Sequence, residues 1–235
     1  MLEVLQTKNQ ISEARRVMAR RGLSTLEGAV SKFLRRFGLN SGLLVGDYIK
    51  SWDVLQTLGF IESHLSRDAA ILDLGAFCSE VPVALGRMGY AQVHGIDLNP
   101  ALKSMPDADK IKYDIGNFMS TPYPDASFDA ITAISVIEHG YEPERLYSEI
   151  SRLLRPGGYF IASFDYWPDK IDIGTTTFFD MSWLIFSQGD VEEMLKMASR
   201  HGLQPVGGLQ PAAKEQAVHC IGYDYTFAWL ALQKT

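Results

Sequence analysis

Cysteine is scarce: the 235-residue chain holds only Cys78 and Cys220. They lie far apart and lack metal-ligand spacing, which excludes a disulfide framework or a cysteine zinc site. Reduced thiols in a cytoplasmic protein are expected, and no metal centre. Long apolar runs are missing too. None approaches the roughly 18 residues needed to cross a bilayer, so no transmembrane segment is expected. The opening Met1-Leu2-Glu3-Val4-Leu5-Gln6-Thr7-Lys8 lacks the basic-then-apolar order of a signal peptide. Tandem repeats and low-complexity tracts are absent. Positive charge is in deficit, 22 Lys and Arg against 28 Asp and Glu, which argues against a nucleic-acid partner.

That deficit is unevenly spread. Residues 1–40 hold eight Lys and Arg against three Glu, a net of +5, so the remainder carries −11. The basic residues gather as Arg15-Arg16, Arg20-Arg21 and Arg35-Arg36, while Ile11, Ala14, Val17 and Met18 keep helical spacing. Two readings stand: a surface for an anionic substrate, acidic partner or anionic lipid, or a solvated helix face covering one side of the domain. With 46% hydrophobic residues the chain can bury a full core. The expected division is a helical extension or lid over residues 1–65 and a main domain over 66–235. A homodimer is left open.

Two apolar runs carry the most information. Ala70-Ile71-Leu72-Asp73-Leu74-Gly75 ends in an acid and a glycine, and Val93-His94-Gly95-Ile96-Asp97 ends in an acid 22 residues after Gly75. The spacing fits adjacent parallel strands joined by a helix, with Asp97 placed to grip a ribose diol. A carboxylate can accept from both hydroxyls at once, so the pair points to an adenosine-type cofactor.

The rest of the chain supports a strand–helix alternation. The first 65 residues read as helices broken at Gly22, at Gly38-Leu39-Asn40-Ser41-Gly42 and at Gly46, with a helical pattern through Leu55, Leu58, Ile61 and Leu65. Strands are expected over 71–74, 92–97, 110–114, 128–135 and 159–164, and a helix over 81–88. Pro143 opens a helix striped by Leu146, Ile150, Leu153 and Leu154, with Arg152 and Arg155 in its last turn and Pro156-Gly157-Gly158 as its stop. Ser187-Gln188-Gly189-Asp190 caps another helix, and residues 221–232 form a long terminal strand. This order specifies an open α/β sheet with a terminal antiparallel strand pair. Residues 165–186 are too long for an ordinary connection and are expected to contribute to a binding site.

Six segments occur in a familiar order and spacing: Ile71-Leu72-Asp73-Leu74-Gly75, Gly95-Ile96-Asp97, Tyr113-Asp114, Phe128-Asp129-Ala130-Ile131, Ile137-Glu138-His139 and Leu153-Leu154-Arg155-Pro156-Gly157-Gly158. Over residues 69–165 the chain resembles the class I S-adenosylmethionine-dependent methyltransferases, nearest to their type 11 small-molecule group. The resemblance implies a Rossmann-like, doubly wound, mostly parallel seven-stranded sheet. It also implies S-adenosyl-L-methionine as cofactor and S-adenosyl-L-homocysteine as product. The Gly75-Ala76-Phe77 loop would approach the methionyl part, with Asp73 organising it. Asp97 would take the ribose, and Leu98 would pack on the adenine. Asp114 would accept from the adenine amino group and the Ile115 N–H would donate to a ring nitrogen. Ser135 and Val136 would line the sulfonium side. Tyr48 is expected to close over the methionyl end.

One departure stands out: Phe77 and Ser79 occupy positions where the family loop usually has glycine. A Phe there must turn away from the cofactor, cap it by stacking, or block it. Cys78 reads as a packing residue, since no base is adjacent. His139, just past the fourth strand and titrating near neutrality, is the expected general base, with Glu138 a lesser candidate. Asp165, Tyr166 and Trp183 are expected to wall the substrate. No Asn/Asp-Pro-Pro-aromatic run, Pro-Cys nucleophile or acid cluster with a following Asn is present. What remains is metal-independent O- or N-methylation of a small molecule, such as a sugar or secondary-metabolite precursor. The rivals are a catalytically silent cofactor-binding module and a nicotinamide-dependent oxidoreductase.

Overall fold

The computed structural model describes residues 1–26, 43–178 and 180–235. Arg35-Arg36 and the expected break at Gly38–Gly42 lie outside them. The elements are β1 (Leu2–Val4), α1 (Lys8–Arg20), α2 (Ser51–His64), β2 (Ala70–Leu74), α3 (Val81–Arg87), β3 (Gln92–Asp97), β4 (Lys112–Ile115), β5 (Phe128–Ile134), α4 (Pro143–Leu153), β6 (Leu154–Tyr166), β7 (Thr177–Phe178), β8 (Met181–Ser182), α5 (Gln188–Arg200), β9 (Leu203–Pro205), β10 (Val218–Cys220) and β11 (Tyr223–Lys234).

The main sheet runs β1-β11-β6-β5-β2-β3-β4, with β9 and β10 also paired to β11. β4, β3, β2, β5 and β6 are mutually parallel, while β11 lies antiparallel to β6. Six strands of that path match those expected, with β11 and β6 as the antiparallel terminal pair, and β1, β9 and β10 add to them. The chain's first residues are a strand rather than helix: Leu2 and Val4 turn inward while their backbone pairs with Leu230 and Ala228. The long β11 would otherwise present open donors and acceptors at that edge.

Side chains alternate across the strands, so each sheet face builds its own core. On one face Met18, Leu58, Ile61 and Val83 pack over Ile71 and Ile161; on the other Leu146, Ile150 and Met194 pack over Leu72 and Phe160. The sheet is therefore doubly wound. Ser187 caps α5 as expected, accepting from Asp190 N–H at 3.2 Å while its own N–H donates to Asp190 Oδ2 at 2.8 Å.

Several boundaries moved: the terminal strand runs Tyr223–Lys234 rather than 221–232, and two others have a local cause. β4 begins two residues late because a turn at Asp107, whose carbonyl accepts from the amides of Lys110 and Ile111, reaches that far. Pro156-Gly157-Gly158 does not separate α4 from the next strand. β6 starts at Leu154 and absorbs the three residues as an irregularity, with Gly157 at φ +80° and the β5 register shifted between Phe128 and Ala130. Arg155 consequently leaves the helix and pairs with Asp129 at 2.6 Å. No helix among the described residues is long and apolar enough to cross a membrane.

Candidate active site

At the carboxyl end of β2 the chain turns through Gly75 at φ +67°, in the left-handed region that favours glycine. A Cβ there would stand 2.5 Å from Val136 Cγ2. The amides of Gly75 and Ala76 both donate to Ile96 O, at 3.0 and 3.1 Å, which ties the loop to β3 and leaves Ala76 buried. Asp97 completes the seam. Its Oδ2 accepts from Phe77 N–H at 3.0 Å and its Oδ1 from Asn99 N–H at 2.8 Å. Each oxygen keeps a further lone pair, so the carboxylate is oriented by backbone and still able to accept two hydroxyls.

Phe77 is half-buried and packs against the core on the α1–α3 face. Cys78 holds φ +60°, and burial followed by the Asp97 charge pushes its thiol pKa up; it is a poor nucleophile. Asp73 is 1% exposed and accepts from Thr132 Oγ1 at 2.5 Å. Burial raises its pKa to about 7.

Along the same edge, Leu98 and Ile115 follow the ends of β3 and β4 and stay 61% and 44% exposed. These are two apolar side chains standing in water beside two carboxylates. Asp114 is held from one side, accepting from Tyr123 Oη at 2.8 Å and lying 3.3 Å from Lys112 Nζ.

Beyond β5 and β6 opens a cleft of ≈ 190 Å³ that includes Ser135, Glu138, His139, Asp165 and Trp183 in its lining. Ser135 sits at φ +51°, a strained conformation for a residue with a Cβ, and its N–H donates to Ser163 O at 3.0 Å. The segment after β5 is strapped to residues 182–184: Gly140 N–H donates to Ser182 O at 2.9 Å and Leu184 N–H to Glu138 O at 3.0 Å. The long 165–186 stretch thus folds back over the carboxyl edge. Asp165 accepts from Trp183 Nε1 at 2.7 Å. Tyr166 does not join it. As the next residue of the strand it faces the other core, fully buried, with its hydroxyl donating to Pro211 O at 2.7 Å.

The charges of the cleft are strongly displaced. Burial raises Asp165 to about 6, against the Trp183 hydrogen bond and the Lys50 charge that lower it. Burial, then the Asp165 charge, push Glu138 well above the usual carboxylate range. Burial, assisted by Lys50, lowers His139 to about 4, so its imidazole is neutral at pH 7 and stacks on Phe178 with centroids 5.2 Å apart. Behind them Asp53 of α2, fully buried, accepts from Ser163 Oγ at 2.7 Å, and burial raises its pKa to about 7.

The N-terminal segment reaches this edge through a contact that the pattern of charges did not reveal. Arg15, one of the basic cluster, is 8% exposed. Its guanidinium meets both oxygens of Glu80 at 2.8 and 2.9 Å and donates to Ser51 Oγ at 2.9 Å and Asp47 O at 3.0 Å. Glu80 also accepts from Thr25 N–H at 2.6 Å. One ion pair thus joins α1, the start of α2 and the glycine loop. For Arg15 neither a solvated face nor a partner surface holds, whereas Arg16 and Arg20 are exposed. The signal was available: Ile11, Ala14, Arg15 and Met18 share one helical stripe. Tyr48 lies 49% exposed on the 47–50 segment, whose Asp47, Ile49 and Lys50 line the cleft.

With this geometry in view, the comparisons are specific. Residues 72–162 match the family described as "Methyltransferase domain". The chain is similar to sterol 24-C-methyltransferase ERG6B of Gibberella zeae, 43% identical over 77 residues, covering 32% of this chain and 17% of that protein. It is also similar to squalene methyltransferase 1 of Botryococcus braunii, 33% identical over 129 residues, covering 46% and 34%. The chain therefore matches about a third or less of the length of these relatives. Among solved structures it shares its fold with the [4+2]-cyclase SpnF, at TM-score 0.60, 17% identity and 97% coverage of both chains. It shares it also with geranyl diphosphate methyltransferase in complex with S-adenosylmethionine, at TM-score 0.56, 15% identity and coverage of 77% and 85%.

S-adenosylmethionine fits the residues present. Asp97 is oriented with lone pairs to spare for the ribose, and Leu98 and Ile115 supply exposed apolar surface for the adenine. Ser135 Oγ is buried without a hydrogen-bond partner among the described residues, at the end where the sulfonium would lie. Residues 72–162 are thus similar to a methyltransferase domain of the S-adenosylmethionine-dependent type 11 group, on a fold that such enzymes share.

Proposed function

We propose that the chain transfers the methyl group of S-adenosylmethionine to an oxygen or nitrogen of a small molecule held in the cleft beyond β5 and β6. When bound, the cofactor supplies an electrophilic methyl on a sulfonium. The chain's residues do the rest. Asp97 holds the ribose, Leu98 packs on the adenine, the Ile115 N–H donates to a ring nitrogen, and Asp114 accepts from its amino group. The Gly75-Ala76-Phe77 turn, organised by Asp73, passes the methionyl part, with Tyr48 closing over it and Ser135 and Val136 beside the sulfur. Asp165 and Trp183 position the acceptor, and neutral His139 is available to take its proton.

The observation that carries this reading is Ser135. It ends the strand between the glycine turn and the cleft, so donor and acceptor sites share one residue and one sheet edge. In-line displacement needs that adjacency more than it needs any strong acid or base. The family match stops at residue 162, short of Asp165, Trp183 and Tyr225. The sterol and squalene acceptors in the relatives' names are therefore a second reading, favoured by the apolar part of the lining, Ile49, Phe178, Val218 and Phe227. Incubation with methyl-labelled cofactor and pooled small-molecule acceptors should release S-adenosylhomocysteine and label a product. Binding of the cofactor without turnover on any acceptor would instead support a silent module.

A further inference from the structure

Resting on the donor reading above, we infer that the acceptor is a small amine, recognised as an ammonium by Glu138 and Asp165 and methylated on nitrogen. Glu138 lines the cleft, is 1% exposed, and its Oε2 has no hydrogen-bond partner among the described residues. Ser135 Oγ, 7% exposed and lining the same cleft, is likewise without one. Buried polar atoms left in this state cost free energy unless a ligand pairs with them. Asp165 is fixed in place by the Trp183 indole at 2.7 Å.

The two carboxyl groups repel each other's charge, so without a counter-ion they resist ionising together. Lys50 lines the same cleft, and its charge acts on both Glu138 and Asp165. One lysine against Glu138 and Asp165, with Asp47 also in the lining, leaves room for one more cation. An ammonium supplies that charge together with the N–H donors that Glu138 lacks; an alcohol supplies a single donor and no charge. The wall of the cleft adds a second attraction. Phe178, Trp183 and Tyr225 form a continuous aromatic surface, with centroids 6.0 Å apart at each step, and aromatic faces attract alkylated ammonium groups.

The step balances. The bound ammonium gives one proton to a carboxylate of the pair, which for an amine acceptor takes the place of His139, and the freed nitrogen lone pair forms the N–C bond. As it does so, the electron pair of the S–C bond passes to sulfur. A methylated ammonium, a neutral thioether and one carboxylic acid remain, and the acid returns its proton to water on release.

The test is calorimetric and needs no turnover. Wild-type protein is first titrated with S-adenosylhomocysteine, then the loaded protein with benzylamine and, separately, benzyl alcohol, which match in shape. Benzylamine should bind at least tenfold more tightly than the alcohol. Glu138→Gln should abolish that preference while leaving S-adenosylhomocysteine affinity within twofold, and Asp165→Asn, a second near-isosteric change, should do the same. If S-adenosylhomocysteine fails to bind the wild type, the donor reading has failed and the amine goes with it. If it binds but the amine does not bind or shows no preference, or if the preference survives both substitutions, only the acceptor class is overturned.

Discussion

Gly75 shows at one residue how the site is specified. Its left-handed backbone and the Val136 methyls 2.5 Å from any added Cβ mean that Gly75→Ala meets both strain and collision. The conformational part alone is about 1–2 kcal/mol, which lowers the melting temperature by roughly 2–8 °C in a chain of this size. Val136→Ala in the same chain should recover part of that loss, because it removes the collision and leaves the strain. A double variant no better than Gly75→Ala would show that Val136 contributes none of the cost. Residue by residue, the positions of the proposed donor side were legible. Asp97, Asp114, Leu98 and Ile115 fall at strand ends whose position follows from apolar spacing. The acceptor side was harder to read because burial decides its chemistry. Glu138 looked secondary to the histidine beside it, and only the fold shows its carboxyl enclosed next to Asp165. Tyr166 was misplaced by a single residue of strand alternation.

Elements depend on two polar contacts, one between helices and one between helix and sheet. The Arg15–Glu80 pair ties α1 to the start of α3, and removing one partner of a buried pair leaves the other charged and unpaired. Glu80→Gln should therefore cost on the order of 3–5 kcal/mol, read from the denaturant midpoint, and an effect within a few tenths would mean that the pair does not hold the two helices together. Asp53 gives a pH signature. Its folded pKa of about 7 exceeds the ordinary 3.8, so between those values the unfolded chain has lost a proton that the folded chain keeps. Its contribution thus favours folding at low pH and is lost as pH rises from about 4 to 7, by ~1.4 kcal/mol for each pH unit in that window. Asp53→Asn should remove that contribution, so the stability of the variant relative to wild type rises across this window; an unchanged difference would contradict it. Helix periodicity and capping made α2, α4 and α5 legible. The edge strand β1 was not, because three residues carry no period and their pairing partner lies more than 200 positions away.

At the scale of the whole molecule, a doubly wound sheet sets its parallel strands so that the glycine turn with Asp97 and the cleft of Glu138 and Asp165 meet along one carboxyl edge, where open α/β sheets generally bind ligands. The fold was readable because the alternation of strand and helix is long and regular. The cleft was not, since its lining comes from the 47–50 segment, residues 165, 178 and 183, and β10–β11, which converge only in three dimensions. Everything proposed about transfer rests on the adenosine cofactor seated at Asp97. Calorimetric titration of wild type and Asp97→Ala with S-adenosylmethionine, S-adenosylhomocysteine and NAD tests that most directly. The wild type should bind both sulfur cofactors and not NAD, and Asp97→Ala should weaken them by about 1–3 kcal/mol. A wild type that binds neither sulfur cofactor, or an Asp97→Ala variant that binds them undiminished, would contradict the account.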